Sequence, residues 1–210
     1  GKLVQASDSL AGSLLSKIKN TSVAVISLAF PAKEAGDSGE GGGGGSAKGG
    51  GAFGHLIPAG EGGSSAALGV IYDSDVFPVQ SDKGSTGSPF MGQRITVMAG
   101  GETKGAADFL NTSSAEDLEH LALSTVRDHL NIHDEPLSIR VNKAYDCIPQ
   151  YNVGHAETRR DIRLRLASSL PWLSVCGASF DGVGVNDCIV SGRNAAQKYM
   201  ANEFIAGRFN

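Results

Sequence analysis

Cysteine is scarce and unpaired by spacing: Cys147, Cys176 and Cys188 are odd in number and form no C-x-x-C pair. That argues against a disulfide framework or a zinc ribbon and fits a reducing compartment. Long apolar runs are missing as well. No stretch approaches the roughly eighteen residues of a membrane helix, and the N-terminal residues show neither a secretory h-region nor an Arg-rich transit pattern. Charge of one sign never gathers into a block. The net charge of -4 comes from interspersed residues, so neither an acidic tail nor a basic arm points to a polyanion, and no nucleic-acid partner is expected. No fixed-period repeat is present. What is there is 210 residues, 40% of them hydrophobic, enough for one large core or two small ones. The chain opens at Gly1, without Met, in what reads as ordinary folded sequence, so a longer parent polypeptide is expected.

Hydrophobic periodicity organises the rest. "DSLAGSLLSKI" (8–18) places Leu10, Leu14, Leu15 and Ile18 on one helical stripe behind an Asp8 or Ser9 cap. "SVAVISLAF" (22–30) is apolar on both alternating faces and reads as a central strand. Between 36 and 51, ten of sixteen residues are Gly, and such a composition cannot offset its ordering entropy, so a disordered insertion is expected. "AFGHLIP" (52–58) and "ALGVIYDS" (67–74) read as a hairpin, and "QRITVMAGG" (93–101) as the next strand. Residues 113–130 begin with Ser113 and Glu116 in capping-box spacing and put Leu118, Leu121, Ala122, Thr125, Val126 and Leu130 on one helical face. A strand at 136–145, an ordered connection at 147–155, a helix at 156–170, a last strand "WLSVCGAS" (172–179) and a helix from Val185 to Glu203 complete the pattern. The order describes an α+β platform followed by the last strand and helix of an α/β layer.

Among chemical signals, "GVGVND" (182–187) has two glycines of a dinucleotide fingerprint, with Asp187 where the third belongs. No second strand ending in an acidic residue follows, so it is not an ADP-binding turn. Two readings stay open for it: a tight corner whose glycines supply backbone conformations, or a helix N-terminus offering N–H groups to a phosphate, a carboxylate or a flavin edge. His129 and His133 have the four-residue spacing of a zinc pair but no third ligand, and solvated loop positions are expected for them. His55 and His155 each follow a glycine, with no partner Ser, Cys or carboxylate in a defined motif.

Taken in order, "SVAVISLAF", "FGHLIP", "LGVIYDSDVFP", "RITVMAGG", "CIPQYNVGH" and "GASFDGVGVNDCIVSGRNAA" resemble the C-terminal part of the protoporphyrinogen oxidase family, FAD-dependent flavoenzymes of the amine-oxidase type. The resemblance implies a fold in which this chain supplies the second half of a substrate-binding mixed sheet with flanking helices (1–145) and the closing strand and helix of a Rossmann-like FAD domain (146–210). It implies that Val183, Gly184 and Val185 lie along the FAD, where a side chain in place of the glycine would collide with the cofactor, and that Phe53, Gly54, Leu56, Ile71 and Met98 line the tetrapyrrole pocket. The implied reaction converts protoporphyrinogen IX to protoporphyrin IX in three two-electron steps with oxygen as acceptor, and the protein supplies orientation and an apolar cavity. The implied partners are the missing N-terminal half of the same polypeptide, carrying G-x-G-x-x-G, and a second copy in a homodimer. Peripheral membrane contact would come from a segment outside this chain, at the mitochondrial inner membrane or, alternatively, in a plastid. By itself the chain is expected to be inactive and to bind FAD poorly. A related amine-oxidase-type dehydrogenase and a non-catalytic porphyrin-binding scaffold are the alternatives.

Overall fold

The computed structural model describes residues 2–31, 52–58, 66–77, 92–101 and 106–205; the glycine-rich segment 36–51 lies outside them. The chain divides into two compact units, one of Ser22–Tyr145 and one combining Gly1–Thr21 with Asp146–Asn210. The sequence reading groups residues 1–145 together, whereas by packing the first 21 residues go with the C-terminal segment.

The first of these units is built on a five-stranded sheet. Strands β1 (Asn20–Phe30), β2 (Gly54–Leu56), β3 (Ala67–Ile71), β4 (Gln93–Gly100) and β5 (Ser138–Pro149) lie in the order β2-β3-β4-β1-β5, which places β1 inside the sheet as its two apolar faces require. The β2/β3, β3/β4 and β4/β1 pairings are all antiparallel, where a mixed sheet was expected. β5 also runs past the expected 136–145 and takes in the first residues of "CIPQYNVGH".

Registered partners point the same way, so the sheet sorts its side chains into two sets. Ala24, Ile26, Leu28, Phe30, Val70, Ile95, Val97 and Ala99 form one set and are buried. They pack with Leu118, Leu121, Ala122, Val126 and Leu130 of helix α5 (Ala115–Leu130) and with Leu110 of helix α4 (Ala106–Thr112). α5 buries the face its periodicity predicts, Leu118 through Leu130. Its cap lies one residue later than the sequence spacing indicates. Ser114 accepts from the Asp117 N–H at 3.1 Å while Asp117 accepts from the Ser114 N–H at 2.7 Å, closing a capping box, and Asn131 ends the helix in the left-handed region at φ 52°. Lys143 of β5 holds the end of α4 by donating to the carbonyls of Leu110, at 3.2 Å, and Ser113.

The other unit is helical. Helix α1 (Lys2–Ser7) leads into α2 (Ser9–Leu15), which is capped by the Asp8 carboxylate accepting from the Leu10 and Ala11 N–H groups. Ala11 joins a small core with Ile162, Leu166, Leu170 and Phe180, to which helix α6 (His155–Ser169) contributes its two fully enclosed positions, Ile162 and Leu166. Helix α7 (Ala178–Asp181) and helix α8 (Val185–Ile205) complete it. The predicted strand at 172–179 does not form. Residues 173–176 are irregular and α7 begins at Ala178. A strand exists by pairing, and no strand among the described residues flanks this segment.

Asp8 also ties α2 to α6, since Arg165 Nε donates to its Oδ2 at 2.7 Å. Hydrogen bonding from Ser169 and the Ala11 N–H, then from Arg165, holds the Asp8 carboxyl far below the usual carboxylate range. A carboxyl depressed in the folded state stabilises above its unfolded pKa and loses that contribution as pH falls. Asp8→Asn is expected to melt below the wild type at pH 7, with the gap closing progressively below about pH 4; thermal melts from pH 7 to pH 3 read this directly. In the sheet unit, Leu118 is 0% exposed, and Leu118→Ala should cost about 2–5 kcal/mol in denaturant unfolding.

Candidate functional site

The second set of sheet side chains is not sealed by the core. Gly54 pairs with Ile71, Leu56 with Gly69, Gly69 with Met98, and Met98 with Val25, so Gly54, Leu56, Ile71, Met98 and Val25 share one face. Four of the five predicted substrate residues are thus brought onto a common open surface by alternation alone. Phe53 lies just before β2 and is also exposed; its carbonyl accepts from the Tyr72 N–H at 3.1 Å. Leu56 is 87% exposed and Phe53 62%. Gly54 has a local explanation: a Cβ there would stand 2.0 Å from the Val70 carbonyl oxygen, so glycine is what lets β2 lie against β3.

A polar seam crosses the same face. Thr96 pairs with both Ser27 and Ile71, and its hydroxyl donates to Asp73 Oδ2 at 2.7 Å with the Ser27 hydroxyl 3.5 Å away. Asp73 opens the short helix α3 (Asp73–Val76), which lies against β4, where the Arg94 N–H donates to Ser74 Oγ at 2.5 Å and Arg94 Nη2 to the Phe77 carbonyl at 3.0 Å.

On the opposite face, His55 is joined to Tyr72, Nδ1 to hydroxyl at 2.8 Å, and stacks on His129 at 5.2 Å between ring centroids. Burial and the neighbouring His129 lower the His55 pKa. His129 therefore belongs to the last turn of α5 and to a ring stack instead of a solvated loop. His133 lies beyond the helix, 2.8 Å from the Asn131 side-chain oxygen. His155 stacks on Tyr151 at 4.0 Å.

In the helical unit, Val183, Gly184 and Val185 form the turn entering α8, with Val183 52% and Val185 77% exposed. A set of polar groups that sequence spacing did not reveal fixes this turn. The Tyr151 hydroxyl donates to the Ala178 carbonyl at 2.5 Å and accepts from the Gly182 N–H at 2.8 Å. Asp181 accepts from Ser191 at 2.6 Å and from Arg163 at 2.8 Å, and the Ser191 oxygen in turn accepts from the Gly177 N–H at 2.9 Å. Burial works to raise the Asp181 carboxyl; Ser191, Arg163 and Arg159 outweigh it and hold it below its ordinary value. The signal for these contacts was weak: Tyr151 stands in the quoted "CIPQY" block, and the arginines read as a solvated face. Asp181, Asp187, Ser191 and Arg163 also line a cleft of about 530 Å³ beside the first turns of α8.

A sequence profile described as flavin-containing amine oxidoreductase matches residues 7–199. The chain belongs to this family. It is similar to protoporphyrinogen oxidases, at 37% identity to the Macaca fascicularis protein over 152 residues (72% of this chain, 30% of the relative) and 33% to the Bos taurus protein over 208 residues (96% and 38%). Coproporphyrinogen III oxidase of Bacillus subtilis is 38% identical over 82 residues, covering 39% of this chain and 17% of that protein. The chain spans about a third of the length of these two protoporphyrinogen oxidases. The fold is that of a solved candidate protoporphyrinogen oxidase from Exiguobacterium sp. 255-15, with a TM-score of 0.68 at 18% identity, covering 94% of this chain and 38% of that one.

The family's cofactor is FAD, and the α8 entry suits it. Exposed Val183 and Val185 flank a residue without a side chain, and the first N–H groups of a 21-residue helix lie directly behind them. Two neighbouring glycines, Gly182 and Gly177, have local explanations of their own. Gly182 has φ +126°, and a Cβ on it would meet Asp187 Oδ2 at 2.6 Å; Gly177 has φ +96° with nothing within 4 Å of an added Cβ. Gly177→Ala should therefore cost about 1–2 kcal/mol from backbone strain alone, and Gly182→Ala more than that. Adding Asp187→Ala should recover only part of the difference between the two, because the Asp187 Cβ, which alanine keeps, would itself stand 2.7 Å from the new Cβ. Equal losses for the two glycine variants in urea unfolding would show that the Asp187 contact is relieved without cost.

Proposed function

We propose that this chain is the C-terminal part of a protoporphyrinogen IX oxidase that converts protoporphyrinogen IX to protoporphyrin IX with FAD and molecular oxygen in haem biosynthesis. The observation that carries the reading is the open sheet face. Leu56, Ile71, Met98 and Val25 are apolar residues in register on one surface while the opposite surface holds the core. A flat, largely apolar macrocycle needs such a wall. Similarity to the Macaca and Bos taurus oxidases over 72% and 96% of this chain supports the substrate class.

In this reading Val183, Gly184 and Val185 hold the flavin edge, and Phe53, Gly54, Leu56, Ile71 and Met98 orient the tetrapyrrole and keep water from it. FAD, when bound, supplies the two-electron acceptor for the carbon–hydrogen oxidation. In this reading the ADP-binding G-x-G-x-x-G turn and the membrane-contacting segment belong to a parent polypeptide of which this chain is a part, and the parent pairs with a second copy. We place the parent protein at the mitochondrial inner membrane, with a plastid as the alternative. Alone, the 210 residues are expected to turn over no porphyrinogen and to retain little FAD.

The similarity to the Bacillus subtilis coproporphyrinogen III oxidase favours a second reading in which the tetracarboxylate ring is the substrate. Assaying the flavin-loaded parent protein with both porphyrinogens separates the two, and no oxidation of either sinks both. Inhibition by a diphenyl ether that mimics half a tetrapyrrole separates this oxidase from an amine-oxidase-type dehydrogenase for other substrates. Leu56→Ser gives a residue-level test. At 87% exposure the side chain contributes little to folding, so stability should stay within about 0.5 kcal/mol while KM rises about tenfold from the lost apolar contact. An unchanged KM would remove Leu56 from the substrate surface.

A further inference from the structure

We infer that Asp73 distinguishes the reduced macrocycle from its oxidised product, by accepting a hydrogen bond from pyrrole N–H groups that only the reduced ring can turn out of its plane. The inference rests on the porphyrinogen reading above and deepens it.

The argument starts from the direction of the polar seam. Thr96 is 9% exposed and lies in register with Ser27 on one side and Ile71 on the other. Its hydroxyl carries one proton, and that proton goes to Asp73 Oδ2 at 2.7 Å. In the 3.5 Å contact between Ser27 and Thr96, the serine must then be the donor. The protons of the seam run toward Asp73, which leaves the carboxylate as its terminal acceptor. A carboxylate accepts at about four lone-pair positions, and among the described residues only the Thr96 hydroxyl donates to this one.

Around this acceptor the face is apolar. Ile71 is adjacent in register to Thr96, and Met98 and Val25 are one pleat further along. The cation on the same face, Arg94, is directed elsewhere, with Nη2 on the Phe77 carbonyl at 3.0 Å. An acceptor set in an apolar wall selects a ligand that is apolar over most of its surface and carries N–H donors at one place.

The two ring states differ in that respect. In a porphyrinogen four pyrroles are joined by saturated carbons, so the rings tilt and can direct N–H groups at a carboxylate lying to one side. In a porphyrin the conjugated ring is flat, and its two N–H groups point inward at neighbouring ring nitrogens. Asp73 can bond the first and not the second. Its carboxylate then favours entry of substrate and contributes nothing to retention of product.

The test is equilibrium dialysis of protoporphyrinogen IX and of protoporphyrin IX against the purified full-length parent protein, kept anaerobic with its flavin already reduced so that neither ligand is consumed. For Asp73→Ala the Kd of the reduced ring should rise about tenfold, as for loss of a charge-assisted hydrogen bond, with that of the oxidised ring within about twofold. Asp73→Asn keeps the side chain's shape and removes its charge; it should weaken reduced-ring binding by about threefold or more with the same selectivity, and it carries the test should the alanine variant fail to fold. Equal weakening of both rings, or no change in either, would overturn the assignment while leaving the oxidase reading in place. Wild-type protein that binds neither ring would overturn the oxidase reading, and this inference with it.

Discussion

The packing of α5 against one face of the sheet is the constraint from which the candidate substrate surface follows. Leu118, Leu121, Ala122, Val126 and Leu130 form a continuous apolar stripe, and the sheet answers with Ile26, Leu28, Val70, Ile95 and Val97. Side chains alternate along a strand with a period of two, so fixing that inward set fixes the outward set as well. Val25, Leu56, Ile71, Thr96 and Met98 are outward because their neighbours are inward. A slip of one residue in any strand would exchange the sets, turning a hydroxyl such as that of Thr96 toward α5 and an apolar side chain such as that of Val97 away from it, at a cost in buried apolar area. The bulge between Ala67 and Gly69 is the one place where the β3/β4 count shifts, and it leaves Ala67 with Ala99 and Val70 with Val97 on the core side.

The helical unit reaches a defined geometry by other means. Its core is small: Ala11, Ile162, Leu166, Leu170 and Phe180. Charged and polar groups do much of the positioning. Asp8 caps α2 and binds Arg165, Asp181 gathers Arg159, Arg163 and Ser191, and the Tyr151 hydroxyl bridges two backbone groups of the turn before α8. Arg159 also donates to the Phe180 carbonyl at 2.5 Å, next to the residue whose carboxylate it pairs with. A carboxylate surrounded in this way stays ionised and its donors stay put, which converts a glycine-rich turn into a fixed support. Val183 and Val185 can then remain exposed without making the turn mobile.

What could be read from the sequence follows the range of the interactions. Periodicity reports what one element does with its own face, and it located β1, the β2/β3 hairpin, β4 and the buried stripe of α5. Capping is equally local, and the error there was a single residue, because Ser113 and Ser114 both offer a hydroxyl at the right distance from an acid. Features that depend on distant partners were not legible. Tyr151 reaches residues 27 and 31 positions away, and His55 stacks on a ring 74 positions later. "WLSVCGAS" has the composition of a strand, but composition cannot supply a neighbour. The open sheet face occupies an intermediate case. Its residues were named from resemblance to a family, and the registers then supplied a physical reason for four of the five to lie together.

The exposed Leu56 and the half-buried Ile71, Met98 and Val25 of the sheet face are informative because of what stands among them. Scattered surface leucines are normal and need no account. Here Leu56, Ile71, Met98 and Val25 are in register, and the polar groups among them are arranged to end in a carboxylate instead of being spread evenly. A purely apolar wall would hold any flat ring in any rotation and any oxidation state. A wall with an acceptor at one position breaks that degeneracy, since a ligand that meets the acceptor with a carbon edge loses the hydrogen bond that solvent gave the carboxylate. On the inference drawn above, orientation and discrimination would rest on the same two residues, Asp73 and Thr96, with the apolar residues around them supplying most of the contact area. On the function proposed above, the redox chemistry belongs to the flavin, and selection of the ring's state and rotation belongs to the sheet.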